Sequence, residues 1–158
     1  MKLIGSVLVI LSGFLWGSAK SQELRNRERL LTQWQRLIQS LKTGISYSAR
    51  PLAELLRSSD SPFCKLAVQH PDFLRDPPQA LAQAGASLLN RAGDKALYRE
   101  FAEGLGASDA PGQLRHLDLY AGLVSEALKE AREERDKRGR LYQCLGLFGG
   151  LTICLLLL

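Results

Sequence analysis

The sequence lacks the cysteine and histidine spacing that would hold a metal ion or a disulfide framework. It has two histidines and three cysteines, and no close spacing pairs Cys64, Cys144 and Cys154. We expect these cysteines to be small apolar packing residues, and we expect no metal and no cofactor. A phosphate-cradling loop is also lacking, because Gly104 and Gly106 follow a predicted helix and not a strand.

Candidate catalytic residues are few. Neither His70 nor His116 lies in a recognisable pattern of nucleophiles or metal ligands. A membrane-bound hydrolase that uses Ser108, Asp109 and His116 is an alternative, but helix capping explains Ser108 and Asp109 better. We therefore expect the protein not to be an enzyme.

Positive charge is concentrated toward the two ends of the chain. The net charge is +5, yet residues 43–128 hold eight basic residues against ten acidic ones. Residues 20–42 hold six basic residues against two acidic, and residues 129–140 hold six against four. This placement is typical of membrane topology and of contact with anionic lipid headgroups. It argues against a nucleic-acid partner.

Two uncharged apolar segments, residues 3–19 and 141–158, lie beside these basic regions. Each is long enough for a transmembrane helix. Lys20 and Arg25 begin a basic flank after the first segment, and a basic stretch at residues 132–140 precedes the second. By the positive-inside rule, the middle of the chain faces the cytoplasm. A cleaved signal peptide is the alternative for the first segment, and whether that segment is ever cleaved stays open.

Each apolar segment contains a Gly-x-x-x-Gly pair, Gly13 with Gly17 and Gly146 with Gly150. This spacing lets helix backbones approach closely, so one hypothesis is that the two anchors pack together through these glycines. The alternative is that glycine is simply common in transmembrane helices.

The middle of the chain shows helical periodicity and no alternating strand pattern. Apolar residues recur at steps of three and four from Leu30 to Ile45, and again from Leu114 to Ala131. The second helix is expected to continue into the C-terminal apolar segment. Shorter helices are expected to start at three points between these two: Pro51, Pro77 and a cap at Asp94.

The predicted fold is therefore all-α: a small antiparallel helical bundle flanked by an N-terminal and a C-terminal transmembrane helix. We expect the first transmembrane helix within residues 1–20, the cytoplasmic bundle in residues 21–140 and the second transmembrane helix in residues 141–158.

Three series of residues carry a family resemblance. The first series is Phe101, Gly104, Leu105, Gly106, Ser108, Asp109, Gln113 and His116. The second is Leu41, Ile45, Tyr47, Pro51, Leu52 and Glu54, and the third is Leu145, Gly146, Leu147, Gly150 and Leu151. In these series, in length and in its apolar ends, the chain resembles the stage III sporulation protein AB family of endospore-forming bacteria. Two departures are Gly44, where the family usually has an acidic residue, and a missing aromatic residue after Pro77.

The resemblance implies a non-enzymatic membrane platform subunit of the channel complex between mother cell and forespore. The family's soluble domain is similar to the cytoplasmic helical domain of type II secretion and type IV pilus platform proteins. Implied partners are a secretion-type ATPase of the same sporulation operon and other membrane subunits of the channel. The implied location is the mother-cell membrane around the forespore, with the bundle facing the cytoplasm.

The alternative function is a membrane-anchored regulator or scaffold that binds a soluble partner outside any channel. Assembly into a homo-oligomer stays open. The predicted partner-binding residues lie between two helices and are Gly104, Gly106, Ser108, Asp109, Gln113 and His116. A cap accounts for Ser108 or Asp109 but not for Gln113 and His116. A helix-hairpin turn held by interior hydrogen bonds is the other interpretation of this series.

Overall fold

The computed structural model describes the backbone of residues 2–48 and 50–157, and the side chains of residues 19, 21–48, 50–138, 144 and 148. These residues form six helices and contain no strand: α1 (Lys2–Tyr47), α2 (Leu52–Ser58), α3 (Pro62–Val68), α4 (Pro77–Leu88), α5 (Ala92–Glu103) and α6 (Ala110–Leu157). The predicted all-α class is confirmed for this part of the chain.

The two predicted membrane anchors, residues 3–19 and 141–158, lie almost entirely outside the residues whose side chains are described. Within the described residues, no helix has a stretch that is both long enough and apolar enough to be a candidate membrane span. The packing glycines predicted in the anchors also lie outside the described side chains: Gly13, Gly17, Gly146 and Gly150. The anchors and their contact through these glycines remain predictions.

The chain divides into two compact units. The larger unit is Arg29–Leu128, and the smaller unit joins Met1–Glu28 to Lys129–Leu158. In the larger unit α2 packs against α3, α3 against α4, and α4 against α5. The larger unit therefore contains all four short helices.

An aromatic cluster forms the centre of the larger unit. Trp34, Phe63, Tyr98 and Phe101 are all fully buried. The Tyr98 ring stacks on Phe63 with 4.6 Å between centroids and lies 4.7 Å from the Trp34 ring. Burying a large apolar side chain contributes about 1.5–3 kcal/mol, so this cluster, which joins α1, α3 and α5, is a principal source of stability.

The periodicity predicted for α1 is confirmed, since its buried face comprises Leu30, Leu31, Trp34, Leu37, Ile38 and Leu41. On α6 the buried residues of the larger unit are Gln113, Leu117, Tyr120, Val124 and Leu128. Leu114 and Ala121, which the apolar pattern placed in the seam, are only half-buried. The buried face of α6 is rotated toward Gln113 and Tyr120, two residues that a purely apolar pattern does not select.

The starts of α2 and α4 agree with the sequence prediction, and the start of α5 does not. Pro51 is the N-cap of α2, and Pro77 begins α4 behind Asp76, whose Oδ1 accepts a hydrogen bond from the Gln79 N–H at 3.1 Å. The predicted cap at Asp94 is wrong. Helix α5 begins at Ala92, so Asp94 lies inside its first turn, where it is buried. Helix α6 runs from Ala110 to Leu157 as one element, as its pattern predicted.

Candidate functional site

The connection between α5 and α6, residues 104–109, brings the predicted partner-binding residues together. Helix α5 ends at Glu103, and Gly106 then adopts a φ of 81°, a left-handed conformation that glycine tolerates best. The chain reverses at this point and enters α6 at Ala110. The glycine in the predicted series therefore has a backbone role that is independent of any partner.

Gln113 holds this connection in place from the first turns of α6. Its Oε1 accepts a hydrogen bond from the Gly106 N–H at 3.0 Å, and its Nε2 donates to the Gly104 carbonyl at 3.2 Å and to Ser108 Oγ at 3.1 Å. The residue is only 6% exposed. Both amide hydrogens and the amide oxygen are used, so the side chain is fully committed to the connection.

Asp109 caps α6 and is one of the two residues, with Ser108, that the sequence offered as the cap. Its Oδ1 accepts a hydrogen bond from the Gly112 N–H at 3.0 Å, and its carbonyl accepts one from the Gln113 N–H at 2.8 Å. The cap satisfies an N–H group that has no partner within the helix. The side chains of Ser108 and Asp109 are nevertheless exposed.

His116 fixes the distance between the end of α5 and α6. Its Nε2 lies 2.9 Å from the Phe101 carbonyl oxygen, and its ring lies parallel to Phe101, with 6.1 Å between centroids. The Tyr120 ring also contacts the imidazole, with 4.7 Å between centroids. A Cβ atom at Gly104 would lie 2.2 Å from the imidazole Cε1. Gly104 is thus required where the backbone approaches this ring.

The structure brings together every residue of the predicted site but gives them two kinds of role. Gln113 and His116 make the interior hydrogen bonds that the second interpretation expected. Gly106, Ser108 and Asp109 form an exposed tip, and Gln113 makes hydrogen bonds to Gly106 and Ser108. Binding of a partner at this tip stays a prediction.

The three residues of the hydrolase alternative each have a partner outside the set. Ser108 Oγ is bonded to Gln113 and the Asp109 carboxylate to a main-chain N–H, while the ring nitrogen of His116 is bonded to the Phe101 carbonyl. Among the described residues, no group of three or more His, Cys, Asp and Glu side chains is placed to hold a metal ion.

A charge network in the smaller unit was missed by sequence reasoning. Arg27 pairs with Glu130 at 3.2 Å and with Glu134 at 3.3 Å, and Glu28 pairs with Arg135 at 2.6 Å. These pairs join residues that are more than a hundred positions apart, so spacing along the chain does not reveal them. The only sequence signal is the i, i+4 repeat of Glu130 and Glu134 on one face of α6.

The fold and the connection define a small helical-bundle protein whose candidate site is a rigid, solvent-exposed turn between two helices. The chain belongs to the stage III sporulation protein AB family, whose family model matches residues 2–158. The resemblance noted in the sequence is thereby confirmed. Comparison with curated proteins and with solved structures gave no significant match.

Proposed function

We propose that the protein is a non-enzymatic membrane platform subunit of the mother cell–forespore channel complex, which couples a cytoplasmic secretion-type ATPase to the membrane channel. Membership of a stage III sporulation family supports the cellular setting. The apolar segments at residues 3–19 and 141–158 support attachment to the mother-cell membrane. The basic flanks of both segments support a cytoplasmic bundle.

The observation that carries the proposal is the architecture of the α5–α6 connection. Its exposed tip, Gly106, Ser108 and Asp109, is held by hydrogen bonds to Gln113 and by the cap on α6. A surface that is already ordered loses little conformational entropy when it binds. A turn of this kind suits a subunit that must engage a large soluble partner repeatedly.

The proposal is tested by measuring how tightly the full-length protein, in detergent micelles, binds the ATPase of the same operon. Asp109→Asn is the informative variant, because asparagine is also a good helix N-cap and the change removes only the charge. We expect it to weaken ATPase binding at least about tenfold. Asp60→Asn is the matched control, since Asp60 is an exposed acidic residue away from the connection.

Equal ATPase affinity of the parent protein, Asp109→Asn and Asp60→Asn would count against contact through the connection. Isolation of the complex from sporulating cells distinguishes the platform function from the alternative function as a regulator or scaffold. A platform subunit should co-purify with the ATPase and with other membrane subunits of the channel. A regulator or scaffold outside any channel should co-purify with a soluble partner alone.

A further inference from the structure

A groove of about 460 Å³ lies between α1 and α2 in the larger unit. Arg36, Ser40 and Thr43 line it from α1, and Leu55 and Ser58 line it from α2. The α1 residues are spaced by four and three positions, which places them along one helix face. The groove therefore follows the axis of α1 over several residues.

Gly44 determines how closely the two helices meet beneath the groove. A Cβ atom at this position would lie 2.7 Å from Cδ2 of Leu55, so the absent side chain lets Leu55 pack onto α1. Leu41 and Leu55 are buried and also line the groove. They give it an apolar floor.

The charged residues that line the groove are all positive. Arg36 and Arg50 both line it, and none of the lining residues is acidic. Arg36 is exposed and makes no ion pair with a described residue. Arg50 has one partner, Glu54, at 3.7 Å, and both of these side chains are about half exposed. Exposed pairs of this kind contribute little, so both guanidinium groups are available to an incoming carboxylate.

The hydroxyl groups of the groove favour a peptide over a free anion. Thr43 Oγ1 donates to the Gln39 carbonyl at 3.0 Å, and Ser58 Oγ donates to the Leu55 carbonyl at 3.0 Å. Because these hydroxyl protons are used, the oxygen atoms are left as hydrogen-bond acceptors. Main-chain N–H groups of a peptide complement such acceptors, whereas a phosphate ion brings mainly acceptors of its own.

The groove also adjoins residues typical of binding surfaces. Its α1 face continues to Tyr47, which is 88% exposed, and tyrosine and arginine are the residue types enriched at the centres of protein interfaces. At the start of α2, Cδ2 of Leu52 would lie 3.6 Å from a Cβ atom placed at Gly106. Helix α2 therefore lines the groove with Leu55 and Ser58 and approaches the α5–α6 connection with Leu52.

We propose that the α1–α2 groove is a docking site for an acidic segment of a partner protein. Carboxylates of the segment pair with Arg36 and Arg50, its main chain donates to Thr43 and Ser58, and an apolar side chain lies over Leu55. Charge complementarity and the acceptor pattern select this occupant. The proposal does not depend on the partner being the ATPase.

Fluorescence anisotropy of the full-length protein in detergent micelles tests this proposal. The probe is a fluorescein-labelled peptide of alternating glutamate and leucine, with glutamine and lysine versions for comparison and empty micelles as the blank. We expect the glutamate peptide alone to bind, with an affinity that falls as salt is added. Arg36→Glu and Arg50→Glu should each weaken binding at least about tenfold. Ser40→Trp, which fills the groove without changing its charge, should weaken it as well.

Arg75→Glu and Arg99→Glu are matched controls, because both arginines are exposed and neither lines the groove. The proposal is overturned if Arg36→Glu and Arg50→Glu bind the peptide as the parent does, or if the controls weaken it equally. Binding of anionic vesicles or of a single-stranded oligonucleotide through Arg36 and Arg50, without peptide binding, also overturns it.

The peptide assay contains no ATPase. A negative result would therefore overturn the proposed docking site in the groove but would not affect the proposed platform role. Conversely, the Asp109→Asn comparison does not involve a groove residue. Loss of ATPase binding in the groove variants, together with peptide binding in the parent, would identify the ATPase as the source of the acidic segment.

Discussion

Gly104, at the end of α5, and His116, on α6, lie so close that a Cβ atom at position 104 would come within 2.2 Å of the imidazole Cε1. The imidazole is held from two sides, by the Phe101 carbonyl and by the Tyr120 ring. The close approach of α5 to α6 therefore depends on the lack of a side chain at Gly104, which leaves room for the imidazole ring of His116.

Gly104→Ala should destabilise the protein by about 1–3 kcal/mol, because the added methyl group overpacks a fixed contact. In a His116→Ala background the same substitution should have much less effect, since the clashing ring is gone. Urea unfolding of the four proteins in detergent measures this coupling. Gly93→Ala is the control, because among the described residues no atom beyond its chain neighbours and the local helix backbone lies within 4 Å of a Cβ at Gly93. Additive effects of the Gly104 and His116 substitutions would contradict the packing account.

Gln113 provides a second prediction. Gln113→Leu should lower the free energy of unfolding by about 1–3 kcal/mol, because the Gly106 N–H and the Gly104 carbonyl lose their partner in a part-buried place. Gln83→Leu, an exposed position on α4, should change stability by no more than about 0.5 kcal/mol. Equal stability losses in these two variants would show that the amide does not hold the connection.

Much of this fold follows from local pattern. The buried face of α1 repeats at helical spacing, and the cap at Asp109 follows from a short polar residue ahead of a helix. The false cap at Asp94 shows where such reasoning fails. Asp94 has the residue type of a cap, but helix α5 starts two residues earlier and buries it. The residue type at one position therefore does not determine where a helix starts.

The sequence predicted which residues belong to the candidate site, but it did not predict which atoms those residues contact. Interior hydrogen bonds were one of two interpretations of this series, but the sequence did not identify Gly106 and Phe101 as the groups that Gln113 and His116 contact. The α1–α2 groove had no sequence signal, because Arg36 and Arg50 come from different elements. Contacts between separate helices depend on how the helices pack, and hydrophobic periodicity specifies only which face is buried.

Two glycines that occupy similar positions within helices should respond oppositely to alanine. At Gly85 a Cβ atom would lie 2.1 Å from Cδ1 of the buried Tyr98 ring. At Gly122 a Cβ atom would meet no described atom within 4 Å beyond its chain neighbours and the local helix backbone. Gly122→Ala should therefore raise the free energy of unfolding by about 0.5–1 kcal/mol through helix propensity alone. Gly85→Ala should lower it by about 1–3 kcal/mol. Urea denaturation measures both, and a stabilised Gly85→Ala would contradict the α4–α5 packing.

The charge network of the smaller unit should show measurable coupling. The Arg27 and Glu134 side chains are only 10% and 15% exposed, so their interaction is less screened than that of surface charges. A double-mutant cycle with Arg27→Ala and Glu134→Ala should give a coupling energy of about 1 kcal/mol or more. The exposed pair Lys137 and Glu133, at 3.6 Å, is the control and should give at most about 0.5 kcal/mol. Coupling energies that do not differ would refute a structural role for Arg27.

Cys64 should make the protein sensitive to alkali. Burial raises the pKa of its thiol from an ordinary value of 9.0 to about 11. The folded state thus holds this proton more tightly than the unfolded state, so the stabilisation is complete below pH 9 and is lost as pH rises from 9 toward 11. The slope is at most about 1.4 kcal/mol per pH unit. The decrease in the free energy of unfolding between pH 9 and pH 11 should be smaller in Cys64→Ala than in the parent protein. An unchanged slope in Cys64→Ala would show that another group controls the alkaline transition.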